Sequence, residues 1–209
     1  QWGIGWRGLF LIGAVPLFLL PFYVQNLKET SAFLARKAAA TSAGAHSGFA
    51  EQIALLRVLF SPLHRMRLLS ITALWVIVNF WSGTALYSFT LYIFDERGWS
   101  PQDLVLLPLG TIPFGFFGYS LAGFAMDRIG RRAAATFYLA AACVATVVCY
   151  QASGSALILA GYFALLGLGG VWAIAPTWTA ELFTTELRAT ASGFSNNLVG
   201  RFGLVFGPI

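Results

Sequence analysis

Apolar residues fall along this chain in six long runs: Ile4 to Val24, Leu68 to Phe94, Leu104 to Met126, Ala133 to Tyr150, Ala156 to Trp178, and Phe194 to Ile209. Runs of this length suit helices crossing a hydrocarbon core ~30 Å thick, at about 1.5 Å of rise per residue. None alternates with period two, which argues against barrel strands, whose signature is about ten residues of alternating hydrophobicity. A bilayer interior leaves backbone groups no water to bond, so a bundle of helices remains. The pattern predicts an all-α integral membrane protein with six spans.

Only 10% of residues are charged and 58% are hydrophobic, with a mean hydropathy of +0.74, which places the chain outside the soluble class. The first run lacks a basic flank and a small-residue cleavage site, so it reads as a span rather than a signal peptide. With Gln1 at one end and an unflanked apolar run at the other, the sequence is expected to be an internal piece of a longer protein. Between the first two spans, Gln25 to Arg67 turns polar, and Ala38 to Gly48 is a low-complexity stretch expected to be mobile. Phe49, Ile53, Leu56 and Phe60 recur there at helical spacing. They predict a short amphipathic helix lying either on the membrane face or against the bundle. Beyond the second span, Ser100-Pro101-Gln102-Asp103 reads as a helix start, with Ser100 capping and Pro101 in the first turn.

The net charge of +5 carries no nucleic-acid signal, because its distribution follows topology. Lys28, Arg36, Lys37, Arg57, Arg65, Arg67, Arg128, Arg131, Arg132 and Arg188 are ten of the 13 basic residues, and all fall on one side of the six-span alternation. Arg97 and Arg7 fall on the other, and Arg201 lies inside the last span. The basic side is therefore expected to be cytoplasmic. Cys143 and Cys149 share one span, about 240° apart round a helix, and cannot bridge each other. His46 and His64 lie in the polar segment and are expected to be solvated. No spacing suits a metal, and no cofactor is implied.

Arg201 stands about 14 Å into a helix counted from Ser192, close to mid-membrane. Arginine at that depth costs about 2.5 to 3.5 kcal/mol on insertion scales, so compensation by a buried pairing or an anionic ligand is expected. A later helix start would instead let the side chain snorkel to the interface.

At the basic junction of the third and fourth spans stand Gly123, Asp127, Arg128, Gly130, Arg131 and Arg132, in the order Gly-x-x-x-Asp-Arg-x-Gly-Arg-Arg. Positive-inside bias explains the arginines but not the order, which resembles the signature loop of the major facilitator superfamily. A second string, Pro176, Trp178, Glu181, Phe183 and Arg188, then Gly193 and Gly200-Arg201, is similar to the family's sequence around the end of its tenth helix. Thr184 stands where the family commonly has proline. Gly5-Trp6-Arg7-Gly8, leading into Leu27-Lys28-Glu29-Thr30, resembles the sixth helix and the turn after it.

In that register residues 1–24 are the last helix of the N-terminal bundle, and 25–67 are the cytoplasmic central linker with its short amphipathic helix. Residues 68–209 are the C-terminal bundle, truncated in its fifth helix. The details resemble the sugar-porter and metabolite:proton symporter cluster, although Leu68 to Phe94 shows no paired glutamines.

The resemblance implies two bundles rocking about a central site, which they expose to alternate sides. It implies a small-molecule substrate, a lipid bilayer of the plasma membrane (bacterial inner membrane), protons as coupling ion, and the remainder of the chain as partner. Organic acids or related metabolites come first as substrates, with sugars, polyols and exported drugs as alternatives. Asp127 is expected to cap the last helix around Thr190 to Gly193 and Arg128 or Arg132 to pair with Glu181. With Gly123, Gly130, Arg131 and Arg188 these would form a conformational latch. Asn79, Trp172, Asn197 and Arg201 are the candidate substrate-binding residues. Gly203 with Gly207, and Gly118 with Ala122, read as small-residue packing seams.

No acidic residue lies inside a span, so a coupling carboxylate is expected outside this sequence. An embedded enzyme is disfavoured, because no nucleophile and base pair, and no histidine, falls within a span. A solute receptor with the same motifs is the alternative from another class. The charge split predicts that a reporter fused near Arg97 reads as external and one near Ala40 or Arg131 as internal. Internal labelling of the Asp95 to Asp103 loop would overturn the orientation.

Overall fold

A computed structural model describes residues 5–42, 49–100, 104 and 107–207. The chain forms two compact units, Gln1–Ala50 and Glu51–Ile209. In the first, α1 (Gly5–Ala14), a 3-10 segment (Val15–Leu19) and α2 (Leu20–Asn26) follow one another. Pro16 and Pro21 each fall in a first turn, where a missing N–H removes no helical bond. The Thr30 hydroxyl accepts the Phe33 N–H and starts α3 (Ser31–Ser42). The stretch expected to be mobile is thus helical as far as Ser42, as its alanines, the strongest helix formers, favour. Residues 43–48, with His46, lie outside the described residues.

The second unit begins within α4 (Phe49–Leu59), whose Leu59 is fully buried and whose neighbour Phe60 meets Phe194 edge-on at 5.2 Å. Of the two placements the sequence left open, packing against the bundle is the one found. α5 (Arg65–Trp81) continues through wide, π-type turns at Ser82–Tyr87 and Tyr92–Glu96. α6 (Leu107–Ile129), α7 (Arg131–Gln151), α8 (Ser155–Leu168) and α9 (Val171–Leu182) follow. α10 (Thr185–Ser192) runs on through a wide segment, Gly193–Gly200, into a last turn, Phe202–Phe206. The predicted helix start at Ser100 to Asp103 falls mostly on 101–103, outside the described residues.

Among the described residues three stretches are by themselves long and apolar enough to cross a membrane: Arg65–Glu96, Arg131–Gln151 and Ser155–Leu182. Six were expected. The first run counts as a shorter apolar helix, Phe10–Asn26, the last is interrupted by the polar Asn196, Asn197 and Arg201, and Leu107–Ile129 is diluted by glycine and proline.

α5 lies against the continuation of α10, Gly193–Gly200 and Phe202–Phe206, α6 against α7 and α8, and α9 against α5, α6 and α7. Glycine permits two of these approaches. A Cβ at Gly203 would run into the Val76 carbonyl and stand 2.6 Å from the Phe80 nitrogen, and one at Gly118 would run into the Gly167 carbonyl. Both seams are the ones the small-residue spacing indicated. Gly130, at φ 86°, makes the turn between α6 and α7, a left-handed conformation that other residues rarely adopt.

At the end opposite that turn, Arg97 donates to the Ala152 carbonyl at 2.7 Å and the Tyr92 hydroxyl at 2.7 Å. Tyr92 donates to the Tyr150 carbonyl at 3.0 Å, and Tyr150 donates to the Ala85 carbonyl at 3.0 Å, inside the first wide turn of the α5 run. Phe89 stacks on Tyr162 at 3.9 Å beside them.

Close backbone contact at Gly203 leads to a test. In the intact protein Gly203→Ala is expected to destabilise the fold by about 1 to 3 kcal/mol. Gly193→Ala, at a position with nothing within 4 Å, is expected to leave it near the parent. Thermal melting of the purified proteins reads the difference, and equal melting would refute the seam.

Candidate functional site

Two clusters in the second unit carry the chemistry, one at mid-helix and one at the basic end. At mid-helix, Trp75 on α5 donates its indole N–H to the Thr179 hydroxyl on α9 at 3.1 Å. In return Trp172 on α9 donates to the Ser82 hydroxyl at 2.9 Å. The two rings meet edge to face at 5.7 Å. Each hydroxyl passes its own proton to a carbonyl four residues back, Ser82 to Val78 and Thr179 to Ala175. The result is a reciprocal clasp with every indole donor engaged.

Asn79 lies one turn above Trp75, fully buried. Its amide N–H donates to the Trp75 carbonyl at 2.8 Å and approaches the Asn196 amide oxygen at 3.4 Å. Its own Oδ1 is buried without a hydrogen-bond partner. Trp81 donates to Thr146 at 3.1 Å and ties α5 to α7. The sequence reading gave no role to Ser82, Thr146 or Thr179, the acceptors of these bonds. The usable signal was that buried indoles need acceptors, and these are hydroxyls within the same spans.

Of the four candidate binding residues, the structure brings Asn79 and Trp172 into one cluster and leaves Asn197 and Arg201 elsewhere. The latter two are exposed and one turn apart on the α10 continuation. The buried pairing expected for Arg201 is absent among the described residues, which follows from the lack of any acidic residue within a span. Beside them on the same helix, Leu198, Phe202, Val205 and Phe206 form an exposed apolar edge.

At the basic end Arg131, the first residue of α7, grips Glu181 of α9 with two parallel bonds, Nη2 to Oε1 at 2.7 Å and Nε to Oε2 at 2.8 Å. Its Nη1 donates to the Met126 carbonyl at 2.8 Å and to Asp127 Oδ1 at 3.2 Å. Arg188 donates to the Ala180 carbonyl at 2.8 Å. These contacts correct two expectations. Arg131 is the residue that pairs with Glu181, in place of Arg128 or Arg132, because the Gly130 turn sets the first side chain of α7 toward α9. Asp127 contacts Arg131 instead of capping the last helix, and Arg128 lies over the Phe124 ring at 4.9 Å.

Arg131 and Glu181 stand at the ends of their helices, outside the apolar runs Ala133 to Tyr150 and Ala156 to Trp178. Hydrogen bonding to Arg131 holds the Glu181 carboxyl below the usual carboxylate range, and the same bonds raise the Arg131 guanidinium. A depressed carboxyl adds stability that is present above its unfolded pKa and lost as pH falls through the folded value. The pair is therefore fully formed at neutral pH. His64, expected to be solvated, is half-buried against Phe183 with Nδ1 unpartnered, because it closes the start of α5 against the end of α9.

The family model of the Major Facilitator Superfamily matches residues 2–208. The chain is 27% identical over 208 residues to a Haemophilus influenzae protein named for metabolite transport, covering 99% of this chain and 50% of that one. It is 30% identical over 119 residues, 56% of this chain and 28% of the other, to a cis,cis-muconate transport protein of Acinetobacter baylyi. It is 23% identical to a niacin transporter of the same organism, covering 98% of this chain and 51% of that one. The chain spans about half the length of the first of these relatives. No solved structure matches it.

If Arg131 and Glu181 act as one unit, their substitutions will not add. In the intact protein with Cys143 and Cys149 replaced, Arg131→Gln and Glu181→Gln are each expected to raise severalfold the labelling of a cysteine at Thr177 from the basic side. The double variant is expected to match either single one. Additive effects, or none, would reduce the pair to surface charges.

Proposed function

The chain belongs to the Major Facilitator Superfamily, and from that premise we propose that the intact protein is a secondary active transporter carrying a small polar solute by alternating access. Proton-coupled uptake of an organic acid or related metabolite, across a bacterial inner membrane, is the mode we favour. The Arg131–Glu181 pair then latches the cytoplasmic side while the outside is open, and helices outside this sequence complete the cavity.

Arg201 carries the substrate reading. It is a cation within an otherwise apolar helical run, with no carboxylate in ion-pair distance among the described residues, one turn from the amide of Asn197. Lipid suits the apolar edge of that helix, which leaves the polar edge for a water-filled cavity. An arginine there offers a planar fork that matches a carboxylate. Muconate and niacin, named for two of the relatives, both bear carboxylates. A sugar would call on the aromatic and amide groups near Asn79 and Trp172, but those donors are engaged with one another. With no acidic residue inside a span, the proton-carrying group of this proposal belongs to the helices outside the sequence.

Arg201→Ala in the intact protein is expected to weaken binding of organic acids about tenfold to a hundredfold or more, as loss of a charged hydrogen bond of about 1.5 to 3 kcal/mol requires. Arg201→Lys, which keeps the charge and loses the fork, is expected to fall between. Titration with a panel of acids and neutral sugars reads the effect. Parent-like binding and flux for every substrate would remove the organic-acid preference.

A further inference from the structure

We propose that the groove beside the α6–α7 turn is a binding site for the headgroup of an anionic phospholipid, with Arg132 as its principal contact. The groove is open, about 650 Å³, and lined by Ile129, Arg131, Arg132, Thr136 and Phe137. It lies apart from the Arg201 edge and rests only on the membrane reading of α7.

Charge is the first argument. Three arginines meet at this junction, and two carboxylates, Asp127 and Glu181, are both held by Arg131. Arg128 rests on the Phe124 ring. Among the described residues no carboxylate lies within ion-pair distance of Arg132, which is exposed. The groove therefore keeps an uncompensated positive charge, and basic pockets at this side of a membrane protein suit anionic headgroups.

Shape supplies the second. Ile129 and Phe137, large apolar side chains 55% and 61% exposed, flank the arginine. Below them Val144, Val147 and Val148 continue an exposed apolar stripe along α7. From Arg132 to Val147 that face runs about 22 Å at 1.5 Å per residue, enough to accompany an acyl chain through one leaflet. A free anion would use the cation and have no use for the stripe. A cation above an apolar track matches a molecule that is anionic at one end and hydrocarbon at the other.

The test uses the intact protein in mild detergent, titrated with phosphatidylglycerol or phosphatidylcholine of identical chains and read by native mass spectrometry. Phosphatidylglycerol is expected to be retained over phosphatidylcholine, with Arg132→Gln lowering the retention about fivefold and Arg132→Lys largely preserving it. A photoactivatable phosphatidylglycerol on the unaltered protein is expected to crosslink within 129–137, a readout independent of how the variants fold. Equal retention of both lipids, indifference to Arg132→Gln, or crosslinks confined elsewhere would each overturn the proposal. So would displacement of phosphatidylglycerol by millimolar inorganic phosphate, which would make this a free-anion site.

Discussion

Every indole N–H buried away from water must find an acceptor inside the protein, and three tryptophans meeting that demand tie this bundle together. Trp75, Trp81 and Trp172 each donate to a hydroxyl, on Thr179, Thr146 and Ser82, and each hydroxyl donates onward to a carbonyl one turn back. A buried polar group without a partner costs about 1 to 3 kcal/mol, so these relays leave little freedom in how α5 meets α7 and α9. The same constraint governs the wide turns. Carbonyls displaced from regular helical bonding are taken up by Ser88, which donates to Gly83, and by Tyr150, which donates to Ala85.

Once the internal donors are assigned, the mid-helix region reads differently from a bare inventory of polar residues. Trp172 is a structural partner of Ser82, and Asn79 is sealed under Gly200, whose added Cβ would stand 3.3 Å from the asparagine amide. What stays exposed is the polar edge of the α10 continuation, Asn197 and Arg201. Charge and accessibility therefore separate Arg201 from the neutral cluster, although both lie on neighbouring helices.

The fold was legible because the bilayer imposes one strong rule on sequence, the unbroken apolar run. The signature loop was legible too, since Gly130 requires its left-handed turn and the arginine order follows from what the turn presents. Pair identities were not. Arg128, Arg131 and Arg132 are equivalent by composition, and only the direction in which the Gly130 turn launches α7 selects Arg131 for Glu181. Arg97 was read merely as a charge on the far side. Its role closing α7 on the Tyr150 and Ala152 carbonyls depends on where a helix 53 to 55 residues away happens to end. His64 escaped for a similar reason, as burial against Phe183 is a tertiary fact.

The two ends of this unit are held by different physics. At the basic end the closing contact is an ion pair with Glu181 on the surface, screened by water and salt. At the other end Arg97 is directed into backbone carbonyls and the Tyr92 hydroxyl, with Phe89 stacked on Tyr162 behind it. Parting Arg131 from Glu181 exchanges a solvated charge contact for hydration. Opening the other end exposes helix-end carbonyls, a tyrosine hydroxyl and an aromatic stack together. Of these two arginine contacts, the Arg131–Glu181 pair is therefore the less costly to break, and it belongs to the signature loop.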